Sequence, residues 1–150
     1  MADHRPPPQG FRRRRHGRSL RVTAGASSAA LTPRDRLAVE VDRAVDRLTS
    51  RVPTLPAFTV EVRELPPPEV VARAGPDDVT GGALLGTHEW TRPAPGTPST
   101  GTLVVVLYAR PLLLWADQPA ALRTLVGQTL AAQVADATGA DLEDLDPGAG

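Results

Sequence analysis

The sequence predicts an α+β fold, with one long N-terminal helix, a small sheet of three or four strands and a C-terminal helix packed on that sheet. Three patterns indicate this class. Apolar residues recur at helical spacing over residues 37–52, alternate with a period of two over residues 58–63, and run almost unbroken over residues 102–108. A chain of 150 residues has room for one domain with a modest core.

The composition excludes several classes of protein. Cysteine is absent, so there is neither a disulfide framework nor a thiolate metal site. No apolar run reaches the roughly eighteen residues that a membrane-spanning helix needs. The charged N-terminus is not followed by the apolar segment of a secretory signal. We therefore expect a cytoplasmic protein that does not bind a membrane.

Charge is divided unevenly along the chain, although the formal net charge is +0. Residues 1–30 hold seven arginines and one aspartate, so 7 − 1 gives +6 there and the remainder sums to −6. Residues 1–31 lack an apolar period and are predicted to be a disordered basic tail rich in arginine and proline. Such a tail either binds nucleic acid or an acidic partner, or is solvated without one. The arginines available for binding are Arg12, Arg13, Arg14, Arg15, Arg18 and Arg21.

The folded domain is predicted over residues 32–147, and its first helix begins at Thr32. Thr32 can cap the helix, Pro33 suits the first helical position, and Asp35 favours the positive end of the helix dipole. The helix is expected to end before Pro53, which cannot continue it.

Strands are predicted in three places along the chain. The alternating segment is a half-buried strand with Phe58, Val60 and Val62 facing inward. The short apolar stretch at residues 83–86 is a second strand. The β-branched run at residues 102–108 is the central strand, buried on both faces.

Residues 87–101 contain three prolines and are predicted to be a loop. His88 and Glu89 at its start form a pair that could serve catalysis, but no partner residues stand at a defined spacing from them. Trp90 is expected to cover an edge of the core. Trp115, at the end of a short helical turn, is expected to pack on the core.

Residues 118–138 are predicted to form the last helix, with Gly139 as its C-cap. Its wide apolar face is interrupted by Gln133. An acidic segment follows, and residues 148–150 are expected to be a flexible end.

The last helix has the frame of a zinc-protease helix without the residues that bind zinc. In the motif H-E-x-x-H-x-x-G-x-x plus a third ligand, the two histidines lie on one helix face and share the metal. The glutamate between them is the general base. The corresponding positions here are Ala132, Gln133, Asp136, Gly139 and Leu142.

The residues around this frame resemble those of the small bacterial zincin-like metallopeptidase family. V-G-Q-T-L-A-A-Q-V-A at residues 126–135 resembles the family's V-x-x-T-V-V-H-E-V-A run, and the acidic residues 141–147 resemble the segment after it. L-V-V-V-L-Y-A-R-P at residues 103–111 resembles its I-V-V-Y-R-R-P strand and turn. R-H-G-R-S-L-R at residues 15–21 resembles the start of an actinobacterial branch, which carries an E-Q-V-A version of the motif. The resemblance runs over residues 12–147.

The resemblance implies a zincin-like fold and a zinc-dependent peptidase, but the ligand set is degenerate in this chain. Ala132 cannot ligate a metal, Gln133 cannot accept a proton at neutral pH, and Asp136 is at best a weak oxygen ligand. Asp141 stands one residue from the third-ligand position, which Leu142 occupies. We therefore expect no bound cofactor and assign neither a catalytic residue nor a metal ligand.

Three interpretations stay open. The first is a pseudoenzyme, an inactive fold or interaction module with an unknown protein partner. The second is an active metal-dependent peptidase with a non-standard ligand set, such as His88 with Asp136. The third is a nucleic-acid-associated protein that acts through its arginine-rich tail. Metal content distinguishes the first two, and salt-dependent binding with and without the tail tests the third.

Overall fold

The computed structural model describes residues 31–93, 95–96 and 101–147. These residues form five α-helices, a three-stranded sheet and a separate two-stranded sheet, which confirms the α+β prediction. The basic tail, except for Leu31, and the end at residues 148–150 lie outside the described residues, as do the six tail arginines. The elements are α1 (Pro33–Arg51), β1 (Phe58–Arg63), α2 (Pro68–Arg73), β2 (Val79–Thr80), β3 (Ala83–Leu84), β4 (Gly86–Thr91), β5 (Thr102–Tyr108), α3 (Ala109–Trp115), α4 (Pro119–Thr138) and α5 (Leu142–Leu145).

The predicted start of α1 is confirmed by a reciprocal cap. The Thr32 hydroxyl accepts a hydrogen bond from the backbone N–H of Asp35 at 3.2 Å. The Asp35 carboxylate accepts one from the backbone N–H of Thr32 at 3.1 Å. Two backbone donors at the helix start are satisfied in this way. The helix buries one apolar stripe and ends at Arg51, before Pro53.

The three-stranded sheet has the order β1-β5-β4, with β5 in the centre as predicted. β5 pairs parallel with β1 and antiparallel with β4. Residues 103–108 are all buried, because helices cover one face of the sheet and a second cluster covers the other. The helical face holds the main core, packed against α1, α3 and α4. The second cluster joins side chains of β5 to the segment that runs from α2 to β3.

The predicted loop at residues 87–101 is wrong in its first part. Gly86–Thr91 is strand β4, which pairs with β5 along its whole length. The polar side chains of β4 give no apolar pattern from which a strand could be predicted. An edge strand can form without such a pattern, because backbone pairing with its neighbour holds it. The chain leaves the sheet just before Pro93, so the prolines limit the strand and do not exclude it.

Two side chains that we predicted to face or pack on the core, Val62 and Trp115, lie at its margin, as does Trp90, which we expect only to cover an edge of the core. Val62 is 38% exposed because β1 is an edge strand whose burial fades along its length. Trp90 is 48% and Trp115 is 50% exposed. In α3, Ala109 and Leu112 occupy the core, whereas Trp115, the last residue of the helix, lies outside it with its ring over Gly81.

The last helix agrees with its prediction. α4 packs Leu122, Val126, Leu130 and Val134 into the core. Gly139 ends it in the left-handed conformation, with φ of 72°. The acidic segment beyond Gly139 forms α5, a short helix whose Leu145 is buried.

Among the described residues, no helix combines the length and the apolar character that crossing a membrane requires.

Candidate functional site

The candidate site lies where α4 passes over the edge strand β4. Gly86 begins this strand and allows the close approach, because a Cβ atom there would lie 3.0 Å from Cγ2 of Thr129 and 3.0 Å from the carbonyl oxygen of Val106. Two residues further along β4, His88 points to the same side of the sheet. One turn further along α4, Gln133 lies over it.

His88 contacts two residues of α4. Its Nδ1 lies 2.8 Å from Oε1 of Gln133, and its Nε2 lies 3.6 Å from Oδ2 of Asp136. Because an amide oxygen only accepts hydrogen bonds, Nδ1 carries the proton in this pair. In the neutral imidazole, Nε2 is then the unprotonated nitrogen, and it faces the carboxylate. The His88 side chain is 23% exposed and that of Asp136 is 75% exposed, so the carboxylate stays largely hydrated.

The structure places the other motif positions outside this pair of contacts. Ala132 is exposed, and Gly139 caps the helix. Leu142 packs against the hydrophobic core. Asp141 caps α5, where its carboxylate accepts a hydrogen bond from the backbone N–H of Glu143 at 3.1 Å. Asp141, which stands one residue from the third-ligand position, is therefore a helix cap.

The residues at the motif positions do not fit a zincin-type zinc ion. Such a site needs three protein ligands with nitrogen, sulfur or oxygen donors. Ala132 and Leu142 carry only carbon in their side chains, which leaves Asp136 alone. His88 could add one imidazole, for a total of two donors. The described part of the chain contains no group of three histidine, aspartate or glutamate side chains placed to hold a metal ion.

His88 and Glu89 do not share a site. Successive residues of a strand point to opposite faces of the sheet, so Glu89 lies on the face away from α4. There it is 3.7 Å from Nη2 of Arg63, which also donates to Glu61 at 2.8 Å. The hydrogen bond to Glu61 raises the pKa of Arg63, so this guanidinium is charged at every accessible pH.

The contact between His88 and Gln133 could not be found in the sequence. The sequence pairs His88 only with Asp136, as an alternative ligand set. His88 and Gln133 are 45 residues apart, and no motif joins them. The one sequence feature that relates to this contact is the two-residue spacing of Gly86 and His88. In a strand, this spacing places both residues on the same side of the sheet.

Residues 55–149 match the model of a family described as zincin-like metallopeptidase. The match spans more than half of the chain and runs from the residues before β1 through α5. The chain therefore belongs to the zincin-like metallopeptidase family, which confirms the predicted family. The alignment of residues 132–142 with the zincin motif stays a prediction. No curated protein matches the chain. Membership of an actinobacterial branch stays a prediction.

Proposed function

We propose that this chain is a zincin-like domain without peptidase activity, which acts in the cytoplasm as a non-catalytic fold or interaction module. The observation that carries the proposal is the donor chemistry of four positions. In motif order, a zincin has a histidine, a glutamate, a second histidine and a third ligand at these positions. This chain has the methyl group of Ala132, the amide of Gln133, the carboxylate of Asp136 and the isobutyl group of Leu142.

Hydrolysis by a zincin needs a metal that polarises the scissile carbonyl and activates water. It also needs a base that accepts the proton. Gln133 cannot be that base, and its side-chain oxygen already accepts a hydrogen bond from His88. In the half-buried space between α4 and β4, a neutral amide keeps a hydrogen bond without the cost of desolvating a carboxylate. These features support a structural role for Gln133.

The test is metal content and hydrolysis, measured on protein purified without an affinity tag. We expect substoichiometric zinc by mass spectrometry. We also expect no cleavage of an unfolded protein substrate above the rate of a chelator-treated sample, with or without added zinc. Stoichiometric zinc that survives dialysis, together with hydrolysis that the chelator stops, would overturn the proposal.

A second candidate is a metal-dependent hydrolase that uses His88 and Asp136. The observation in its favour is the hydrogen bond on Nδ1, since a ligating histidine usually donates its other ring N–H to an oxygen. If this candidate holds, His88→Ala and Asp136→Ala should each abolish zinc binding, while Asp144→Ala, a change on α5, should not. If zinc content is low in the parent and in all three variants, the result supports the proposal of a domain without peptidase activity.

The charge of +6 in residues 1–30 supports a third candidate, in which the tail binds nucleic acid. Binding should then weaken as salt rises, and deletion of residues 1–30 should abolish it. The deletion should leave the thermal midpoint of the domain within a few degrees, since the tail has no apolar period. Binding that persists would place the contact on the folded domain.

A further inference from the structure

A groove runs along the side of α4 that faces away from Gln133. It lies between α1, α4 and α5 and has a volume of about 690 Å³. This size is in the range of sites that hold small ligands or a few peptide residues. The lining residues used below are Arg47, Arg51, Arg123, Gly127, Ala131 and Leu145.

Three arginines line the groove, and each has donors to spare. Arg51 uses Nε to donate to the backbone carbonyl of Asp144 at 2.7 Å. Arg123 uses Nε to donate to Glu40 at 3.2 Å. No ion pair within the described part of the chain involves Arg47. A guanidinium has five N–H donors, so most donors of this cluster are available to a ligand.

The charge of the groove is opposite to that of the domain around it. Residues 31–150 sum to −6, yet three arginines and, among the described lining residues, one carboxylate, Asp146, meet here. Arg47 and Arg51 are one turn apart on α1, about 6 Å along its axis. The spacing suits two neighbouring carboxylates on one ligand, because an arginine fork binds a carboxylate with two parallel hydrogen bonds.

The floor of the groove is apolar. Ala131, Leu145 and neighbouring aliphatic side chains of α1 and α4 form it. Gly127 keeps it open, since a Cβ atom there would lie 3.4 Å from Nη2 of Arg47. No aromatic side chain is among the described lining residues, so the groove offers no platform for stacked bases. An anion with an apolar part complements it better than a phosphate backbone does.

We propose that this groove binds an acidic peptide segment of a partner protein. Two carboxylates of the segment pair with Arg47 and Arg51, and an adjacent apolar side chain lies on the floor beside Leu145. The groove is partly open to solvent and is lined by residues of two long helices, α1 and α4, so a peptide can reach it. It shares no residue with the motif side of α4, so the inference does not depend on whether the domain hydrolyses peptides.

The test begins with a displayed library of random 12-residue peptides, selected on the full chain. Arg47→Glu serves for counter-selection. Arg47 is exposed and has no ion pair with another described residue, so this variant should keep the parent's thermal midpoint. We expect the peptides that depend on Arg47 to contain at least two acidic residues and one large apolar residue. No enrichment, or enrichment that Arg47→Glu does not change, would overturn the proposal.

The best peptide is then measured by fluorescence polarisation. Arg47→Glu and a peptide with its glutamates changed to glutamine should each weaken binding by about tenfold or more, as is typical for a charge-assisted pair. Gly127→Leu, which fills the groove, should have a similar effect. Arg73→Glu, the same charge change on α2, should stay within about twofold of the parent. An equal loss in Arg73→Glu would mean unspecific attraction and would overturn the proposal.

Two other occupants are outcomes of the same experiment. A dimer of the chain that Arg47→Glu dissociates, seen by light scattering, would make the groove a self-association surface. If citrate binds, loses its binding in Arg47→Glu, and no peptide binds, the groove is a site for small acids. Either result would replace the peptide proposal.

Discussion

The two sides of α4 differ in what their side chains do for the fold. On the core side, Leu130 and Val134 are almost fully buried. On the motif side, Ala132 and Asp136 are exposed and Gln133 is half-buried. In the proposed alignment, the positions of α4 that would carry the family's chemistry are not the positions that hold the helix in place. If residues 132–142 align with the zincin motif as we propose, a zincin-type helix can lose its ligands and keep its backbone.

The difference has a physical cause. A metal ligand must reach a cavity that substrate and water can enter, so the domain core does not depend on it for packing. A core residue is surrounded by neighbours, and its replacement leaves a cavity. Leu142 is the exception, because it stands at a ligand position and also packs against the core. The five predictions below test this comparison, from the largest expected effect to the smallest.

The largest effect should come from the core side. Leu130→Ala should lower the free energy of unfolding by about 2–5 kcal/mol, because it removes buried atoms and leaves a cavity. The matched change on the motif side, Ala132→Ser, should stay within about 0.5 kcal/mol. Urea denaturation of both variants measures the difference. Equal losses would mean that the motif side is also part of the core.

Restoring the ligands should create a zinc site. Ala132→His, Gln133→Glu, Asp136→His and Leu142→Asp together should bind zinc in the micromolar range or tighter, as an order of magnitude for three protein ligands. Zinc at a hundred times its dissociation constant should then stabilise the variant by about 2.7 kcal/mol. Calorimetric titration measures the binding. Because Leu142→Asp disturbs packing, the triple variant that keeps Leu142 is measured beside it.

The control for this graft has histidines one residue further along, Gln133→His with Ala137→His. Graft and control both carry His88→Ala, because residue 133 contacts His88, whose imidazole could otherwise join the control pair. This pair keeps the spacing but turns the imidazoles to another direction. If the graft binds zinc no better than this control, the alignment of residues 132–142 with the zincin motif is wrong.

A smaller effect is expected where α1 meets α4. Glu40 is buried, and it accepts hydrogen bonds from Arg43 at 2.9 Å and from Arg123 at 3.2 Å. Both arginines are about half exposed and can be rehydrated, so Glu40→Ala should cost only about 1–2 kcal/mol. Asp46→Ala, an exposed carboxylate of the same helix, is the control. If Glu40→Ala and Asp46→Ala lower the thermal midpoint equally, Glu40 does not stabilise the contact between α1 and α4.

The contact on the motif side should be weaker still. Gln133→Leu removes the acceptor of the His88 ring N–H and should cost about 0.5–1.5 kcal/mol. In nitrogen NMR, the neutral form of His88 should be the tautomer protonated on Nδ1 in the parent and a mixture of tautomers in the variant. Gln128→Leu, a change outside the contact, should leave the His88 spectrum as it is. An unchanged spectrum in Gln133→Leu would contradict the contact.

The smallest effects have opposite signs at two glycines of one helix. Gly139→Ala should cost about 1 kcal/mol, because φ there is 72° and alanine avoids this region. Gly127→Ala, inside the helix, should stabilise by about 0.5–1 kcal/mol, since it meets Arg47 only at an ordinary contact distance. Thermal midpoints of the two variants measure both. A gain in stability for Gly139→Ala would mean that the left-handed conformation does not restrict this position. A loss for Gly127→Ala would mean that the contact with Arg47 outweighs helix propensity.

The sequence by itself determined the elements that depend on neighbouring residues. The cap at Thr32, the apolar strand at residues 102–108 and the stop at Gly139 follow from local chemistry, and each was predicted. The sequence also shows that the side chains of Ala132 and Leu142 cannot bind a metal, because a side chain without a donor atom cannot do so in any fold.

Only the tertiary structure decided the features that depend on distant residues. β4 is a strand because β5 supplies its backbone partners, and its polar side chains give no local sign of that pairing. His88 meets Gln133 because Gly86 lets α4 approach the sheet, and the arginine groove exists because α1 and α5 close on the far side of α4. Contacts such as these join segments that are far apart in sequence, and a local pattern carries no information about which segments will pack together.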